Sequence, residues 1–202
     1  MKFILRSFSY IMHPLFMPLL GVCIYFTITP KFVPESFMYA KIFAISILTL
    51  VVPILFYFLL ESINLVSSKE LSDVKERRVP LICQMGVTFL IISVIINGYE
   101  FPELYMFFIG ILIASAVCLL LSFFKYKASL HMVGVSGVLG FIIALSMVYT
   151  TNYLQIISLL VIAIGLTAAS RLQMKAHNMH ELVVGLIAGG LPQLVVFYFY
   201  NI

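Results

Sequence analysis

The sequence predicts an all-α protein, a polytopic bundle of about six to seven membrane-spanning helices. Three observations predict it. Of 202 residues, 63% are hydrophobic and only 10% charged, whereas soluble domains are nearer half apolar and a quarter charged. Mean hydropathy is +1.15. Several stretches of roughly 16 to 24 residues carry no charge, and about 20 residues cross the hydrocarbon core. A soluble core helix of that length would show a polar face, which these lack.

Seven apolar runs follow one another. The first, Tyr10–Thr29, is preceded by a short basic start, MKFILR. No small-x-small cleavage site follows, and Pro14 and Pro18 interrupt the run, so it reads as a retained membrane segment rather than a signal peptide. His13, beside Pro14 at the segment start, reads as a packed or capping residue. The second run is Phe37–Leu60 and the third Leu81–Asn97, with Pro80 as its first-turn proline. The fourth to sixth are Leu104–Phe124, Met132–Tyr149 and Leu154–Ala169. The seventh, Leu182–Tyr200, holds Gly185, Gly189 and Gly190, which suit close helix packing, then Pro192, which predicts a kink. The connections TPKFVPES and NGYEFPE are rich in turn formers, and TTNY is a tight connector. Backbone groups in lipid must be satisfied internally, so each run is read as a helix. Residues 1–202 form one integral membrane domain. Cys23, Cys83 and Cys118 lie in or at the start of apolar runs without metal or disulfide spacing, and read as packing residues.

Seven crossings put the N-terminus on the same side as the loops after runs two, four and six. This near side holds Lys2, Arg6, Lys69, Lys75, Arg77, Arg78, Lys125, Lys127, Arg171 and Lys175; the far side holds Lys31 and Lys41. By the positive-inside rule the near side would be cytoplasmic. Setting aside the three polar loops leaves Lys2 and Arg6 against Lys31 and Lys41, so charge does not decide the side. The net charge of +4 sits at segment ends and is no sign of nucleic-acid binding.

Three polar clusters converge on the near side. In SRLQMKAHNMHE, His177 and Glu181 are four apart. On a helix they share a face, so Glu181 accepts a hydrogen bond from His177 and leaves the other ring nitrogen a better nucleophile or base. Arg171 suits bidentate capture of phosphate oxygens. The plainer reading is a solvated helix start with Glu181 facing the dipole. His180 points about 100° round the helix from Glu181 and reads as interfacial. In KYKASLHM, Ser129 and backbone N–H groups at a helix start make an anion site, and His131 is placed to donate a proton. Lys127 is either a phosphate ligand or an interfacial anchor. KERRVP supplies Lys75, Arg77 and Arg78, which otherwise serve anionic lipid or topology.

Together the three clusters resemble the motifs of the type-2 phosphatidic acid phosphatase superfamily, over residues 69–200. The third motif, Ser-Arg, five residues, His, three residues and an acid, is matched by Ser170, Arg171, His177 and Glu181. The second, Pro-Ser-Gly-His, is similar to Ala128-Ser129-Leu130-His131, with Leu130 in the glycine position. The first, Lys, six residues, Arg-Pro, is similar to Lys69 to Pro80, with Arg77 or Arg78 as the arginine; Val79 separates Arg78 from Pro80, and the lysine is Lys75, Lys69 or Lys127. A helical hairpin lies between the first and second motifs, where the family has a loop. The chain looks similar to short bacterial members with a His-Pro near the N-terminus, here His13-Pro14.

The resemblance implies a metal-free phosphatase acting on a lipid phosphate or isoprenoid (di)phosphate at the membrane interface, in a bacterial inner membrane. No cofactor is implied. Carboxylates within the runs are almost absent, so transition-state charge would fall to Arg, Lys and N–H donors. Arg77, Arg171, Ser129 and a lysine would hold the phosphoryl oxygens, with Arg78 and Ser170 as further candidates. His177, oriented by Glu181, would attack phosphorus to give a phosphohistidine. His131 would protonate the leaving group and then activate water. Ser170 would add a hydrogen bond or cap the final helix. Two alternatives stay open: a lipid phosphotransferase, and a catalytically degenerate scaffold or lipid-binding protein. A solute channel fits poorly, because the polar residues gather at one face.

Overall fold

The computed structural model describes residues 2–63 and 74–200. Every regular element among them is helical. Seven stretches are long and apolar enough to cross a membrane: Ser7–Ile28, Glu35–Ser62, Lys75–Ile95, Pro102–Phe123, Leu130–Val148, Leu154–Gln173 and Met179–Tyr200. The first comprises α1 (Lys2–Ile11) from Ser7 onward, a 3-10 turn (Pro14–Phe16) and α2 (Met17–Ile28). The break falls at Pro14, which has no N–H to donate. The second joins α3 (Glu35–Ser46) to α4 (Val52–Ser62) through a π-helical turn. The third starts with a 3-10 turn (Lys75–Arg77) and continues as α5 (Arg78–Leu90) with Pro80 in its first turn. The last four are α6 (Pro102–Phe123), α7 (Leu130–Val148), α8 (Leu154–Gln173) and α9 (Met179–Tyr200).

These helices run past the apolar stretches at their near ends. The third span begins at Lys75 rather than Leu81, the sixth ends at Gln173 rather than Ala169, and the seventh begins at Met179 rather than Leu182. Arg, Gln, Lys and Met are good helix formers, so polarity alone does not end a helix. The consequence is positional: Arg77, Arg171 and Glu181 are carried on helical turns.

α7 is the hub. Of its span 56% is buried inside the protein, against 11% for Glu35–Ser62 at the periphery. Val135, Val138, Phe141, Ile142 and Leu145 of α7 meet Phe107 and Phe108 of α6, Tyr25 of α2 and Phe197 of α9 in one core. Phe107 stacks on Phe141 at 4.2 Å between ring centroids. Lipid tails are as apolar as these side chains, so association depends on close packing. The α7–α9 seam shows it. A Cβ on Gly189 would lie 2.1 Å from the Val133 carbonyl oxygen, and one on Gly185 2.7 Å from that of Ser129. α9 runs through Pro192 within one helical range. Gln193, fully buried beside it, donates to the Phe107 carbonyl at 3.0 Å.

The far end buries a charge that the sequence reading left in a turn-rich connection. Glu103, in the first turn of α6, is 4% exposed. Both its oxygens accept from Lys31 Nζ at 2.8 Å, and Oε2 also accepts from the Tyr25 hydroxyl at 3.0 Å. Nearby, Thr29 Oγ1 and the Tyr149 hydroxyl lie 3.3 Å apart, and the Tyr153 hydroxyl donates to the Ile28 carbonyl at 3.1 Å. Lys41 donates to the Ile95 carbonyl.

Candidate active site

The near-end cluster is built around the turn joining α8 to α9. α8 closes with Lys175 at φ 53°, while Lys175 N–H donates to the Leu172 carbonyl at 3.0 Å and Ala176 N–H to that of Arg171 at 3.1 Å. These bonds satisfy carbonyls that the helix end leaves open. Asn178 then caps α9. Its Oδ1 accepts from Glu181 N–H at 2.9 Å, and Glu181 Oε2 accepts from Asn178 N–H at 3.2 Å, a reciprocal capping box. The same Glu181 oxygen lies 2.7 Å from His177 Nδ1.

The His177–Glu181 pair is therefore made, but by a route other than the expected one. His177 lies in the turn, before the helix, so the two do not share a helix face. The cap locks the carboxylate, and the carboxylate fixes the ring. A carboxylate accepts, so Nδ1 carries the proton and Nε2 keeps its lone pair. The ring is buried, with only 2% of the side chain exposed. Burial pushes its pKa below the usual imidazole value; the Glu181 bond opposes the shift, and the Arg77 and Arg171 charges add to it. The imidazole is neutral at pH 7.

The second cluster is locked to the first. Ser129 N–H donates to the Glu181 carbonyl at 3.1 Å across the α7–α9 seam. Ser129 is the N-cap of α7, yet its side chain makes no capping bond. The residue is fully buried, and Oγ has no hydrogen-bond partner among the described residues. A buried hydroxyl of this kind costs about 1–3 kcal/mol unless something pairs with it. His131 follows in the first turn of α7, within electrostatic reach of the Arg171 guanidinium.

Two arginines complete the cluster. Arg77 and Arg171 are 6% and 7% exposed, a depth at which guanidinium groups are rare unless paired or functional. Arg77 Nη1 donates to the Ala128 carbonyl at 2.9 Å, and Arg171 Nη1 to Ser9 Oγ at 3.3 Å. Arg78, the other candidate for the first motif, points elsewhere. Its Nη2 donates to the Ser122 carbonyl at the end of α6 at 3.1 Å, and its guanidinium lies 4.5 Å from the Phe123 ring centroid. Lys127 and Lys175 line an open depression of about 400 Å³ with Leu172, Ala176, His177, Asn178 and Glu181. Lys75 is exposed on the 3-10 turn before α5, and Lys69 lies outside the described residues. Ser170 is buried on the last turn of α8 with Oγ 3.9 Å from Met174 Sδ; Asn178, not Ser170, caps the final helix. His180 is exposed.

Two contributors come from outside the three motifs. Ser9 on α1 holds Arg171, and the His13 ring meets the His131 ring at 5.3 Å between centroids. His13 also caps the 3-10 turn, as the capping reading expects, with Nδ1 accepting from Leu15 N–H at 3.3 Å. A histidine before a proline in a charge-free run was the available signal. Among the described residues, no group of three or more His, Cys, Asp or Glu is arranged to hold a metal ion. The chain matches no protein-family model, no curated protein and no solved structure.

Proposed function

We propose that this integral membrane protein is a metal-independent phosphatase that hydrolyses a lipid phosphate or isoprenoid (di)phosphate through a phosphohistidine. One observation carries the reading. A neutral His177, with Nδ1 fixed by Glu181 and the lone pair left on Nε2, stands with two buried arginines and a buried Ser129 hydroxyl that has no hydrogen-bond partner among the described residues. Cations, N–H groups and hydroxyls at a membrane boundary are the donor set that a phosphoryl group requires.

Arg77, Arg171, Ser129 Oγ and Lys127 hold the phosphoryl oxygens. His177 Nε2 attacks phosphorus, the bond to the leaving oxygen breaks, and His131 gives that oxygen its proton. Water then attacks the phosphohistidine and returns a proton to His131; the N–P bond breaks and phosphate leaves. The lipid tail stays in the bilayer beside the exposed apolar faces of the spans. The resemblance to short bacterial members supports an inner-membrane location.

The test is phosphate release from a panel of lipid phosphates in detergent with EDTA present. Turnover persists in EDTA and falls by roughly 10³-fold or more in His177→Ala. A strict requirement for Mg²⁺ would contradict the proposal.

A further inference from the structure

We propose that His13 is a positioning residue for His131, its ring holding that imidazole in the orientation needed to protonate the leaving oxygen. The inference rests on the phosphatase reading.

The first span is broken where an unbroken helix would cross the bilayer more simply. α1 stops at Ile11, the 3-10 turn occupies Pro14–Phe16, and α2 begins at Met17. His13 sits in the gap with extended backbone, φ −66° and ψ 138°. Its Nδ1 accepts from Leu15 N–H, so the neutral ring carries its proton on Nε2 and its rotation is fixed. The fixed ring meets His131 edge to face, at 5.3 Å and an interplanar angle of 83°. That spacing lies within the range for favourable aromatic pairs.

α7 is shaped to receive the break. Gly134 lies three residues past His131, on the same helix face. A Cβ there would lie 2.8 Å from Met17 Cγ and 3.4 Å from Pro14 Cα. A bare helix surface at Gly134 thus lets the His13 turn seat beside His131. Four residues before His13, Ser9 Oγ accepts from Arg171. The first span therefore touches two site residues carried on two different helices, α7 and α8.

A cap alone would not need a ring, because Asn accepts a backbone N–H equally well. That separates the two roles. His13→Asn keeps the cap and removes the ring; His13→Phe keeps a ring and removes the cap. Both are assayed as full-length protein in detergent on two phosphomonoesters. One has a poor alkyl leaving group, which needs the proton; the other is p-nitrophenyl phosphate, which does not. His13→Asn is expected to lose about tenfold in kcat on the alkyl ester, a fraction of a full general-acid contribution, and to stay within about twofold on the aryl ester. His131→Asn shows the same asymmetry, larger. His13→Phe keeps the wild-type ratio of the two rates at a lower melting temperature. In the double variant His13→Asn/His131→Asn the losses fall short of adding, as for residues acting as a unit.

Equal losses on both esters, or none, would overturn the inference while leaving the phosphatase reading standing. Should His13→Asn fail to fold, the His13→Phe ratio decides: an asymmetry like that of His131→Asn would overturn the inference. A wild-type protein without turnover would remove the phosphatase reading and this inference with it.

Discussion

The two ends of the bundle both bury charge, and they finish it differently. At the far end, Glu103 is met by Lys31 on both oxygens and by the Tyr25 hydroxyl. Such a network is complete and works as a staple between α6 and the first span. At the near end, two buried arginines and the His177 imidazole stand with a Ser129 hydroxyl that makes no hydrogen bond among the described residues. Buried polar groups are normally satisfied, so an exception asks for an explanation. On the proposed function, the difference separates a structural charge cluster from one organised around an anion.

Substitutions at the two ends should therefore fail in different ways. The largest effect is expected from Arg171→Ala, which removes a donor from the proposed phosphoryl site. Turnover falls roughly 10²- to 10³-fold, as for loss of one transition-state donor. Arg171→Lys restores little, because a point charge does not replace the planar fork. If Arg171→Ala melted the protein without changing turnover per folded molecule, the near end would be a staple too.

Glu103→Ala comes next and should do the reverse. Breaking a buried ion pair costs about 3–5 kcal/mol. Lys31, with 37% of its side chain exposed, can rehydrate, so the loss should be nearer 2 kcal/mol. Denaturant unfolding in detergent reads this loss, while turnover per folded molecule stays within about twofold of wild type.

Ser129→Ala sharpens the contrast with a smaller change. Removing a buried hydroxyl that has no partner among the described residues should leave stability unchanged or raise it by about 1 kcal/mol. The same change should weaken capture of the phosphoryl group about tenfold, as for one lost hydrogen bond to a charged ligand. Opposite signs on stability and kcat/KM identify a residue kept for a ligand. A substitution that destabilises would place Ser129 in the scaffold.

The smallest effect is on pH. The folded-state pKa of His177 is lowered from its ordinary 6.5, mainly by burial. The unfolded chain then binds more protons below that value. Stability contributed by the neutral ring is complete above about pH 6.5 and is lost as pH falls toward the lowered folded value. The wild-type melting temperature should drop across that window, and His177→Ala should flatten the drop. Equal slopes in both would mean that His177 is not held neutral.

How much of this was legible beforehand depends on whether the interaction is local. The seven spans were, because a charge-free run of membrane length has few other uses. The His177–Glu181 contact was visible in its spacing, although a capping box at Asn178 makes it rather than a helix face. Arg77 and Arg78 were not separable: neighbours on a helix point about 100° apart, and which one faces inward depends on packing against α6 and α7. Ser9 and His13 join residues about 160 and 120 positions away through a broken first span that seats against Gly134. The partners of Glu103 lie 72 and 78 residues distant. No periodicity in the chain encodes such pairings.

The central claim is that His177 carries the phosphoryl group. The direct measurement is to quench the protein in alkali during turnover of a ³²P-labelled lipid phosphate, then to map the label by peptide mass spectrometry. Phosphohistidine survives alkali and is lost in acid. The account predicts an alkali-stable, acid-labile label on residue 177, absent from His177→Ala. A label on Ser129, or continued turnover by His177→Ala, would contradict it.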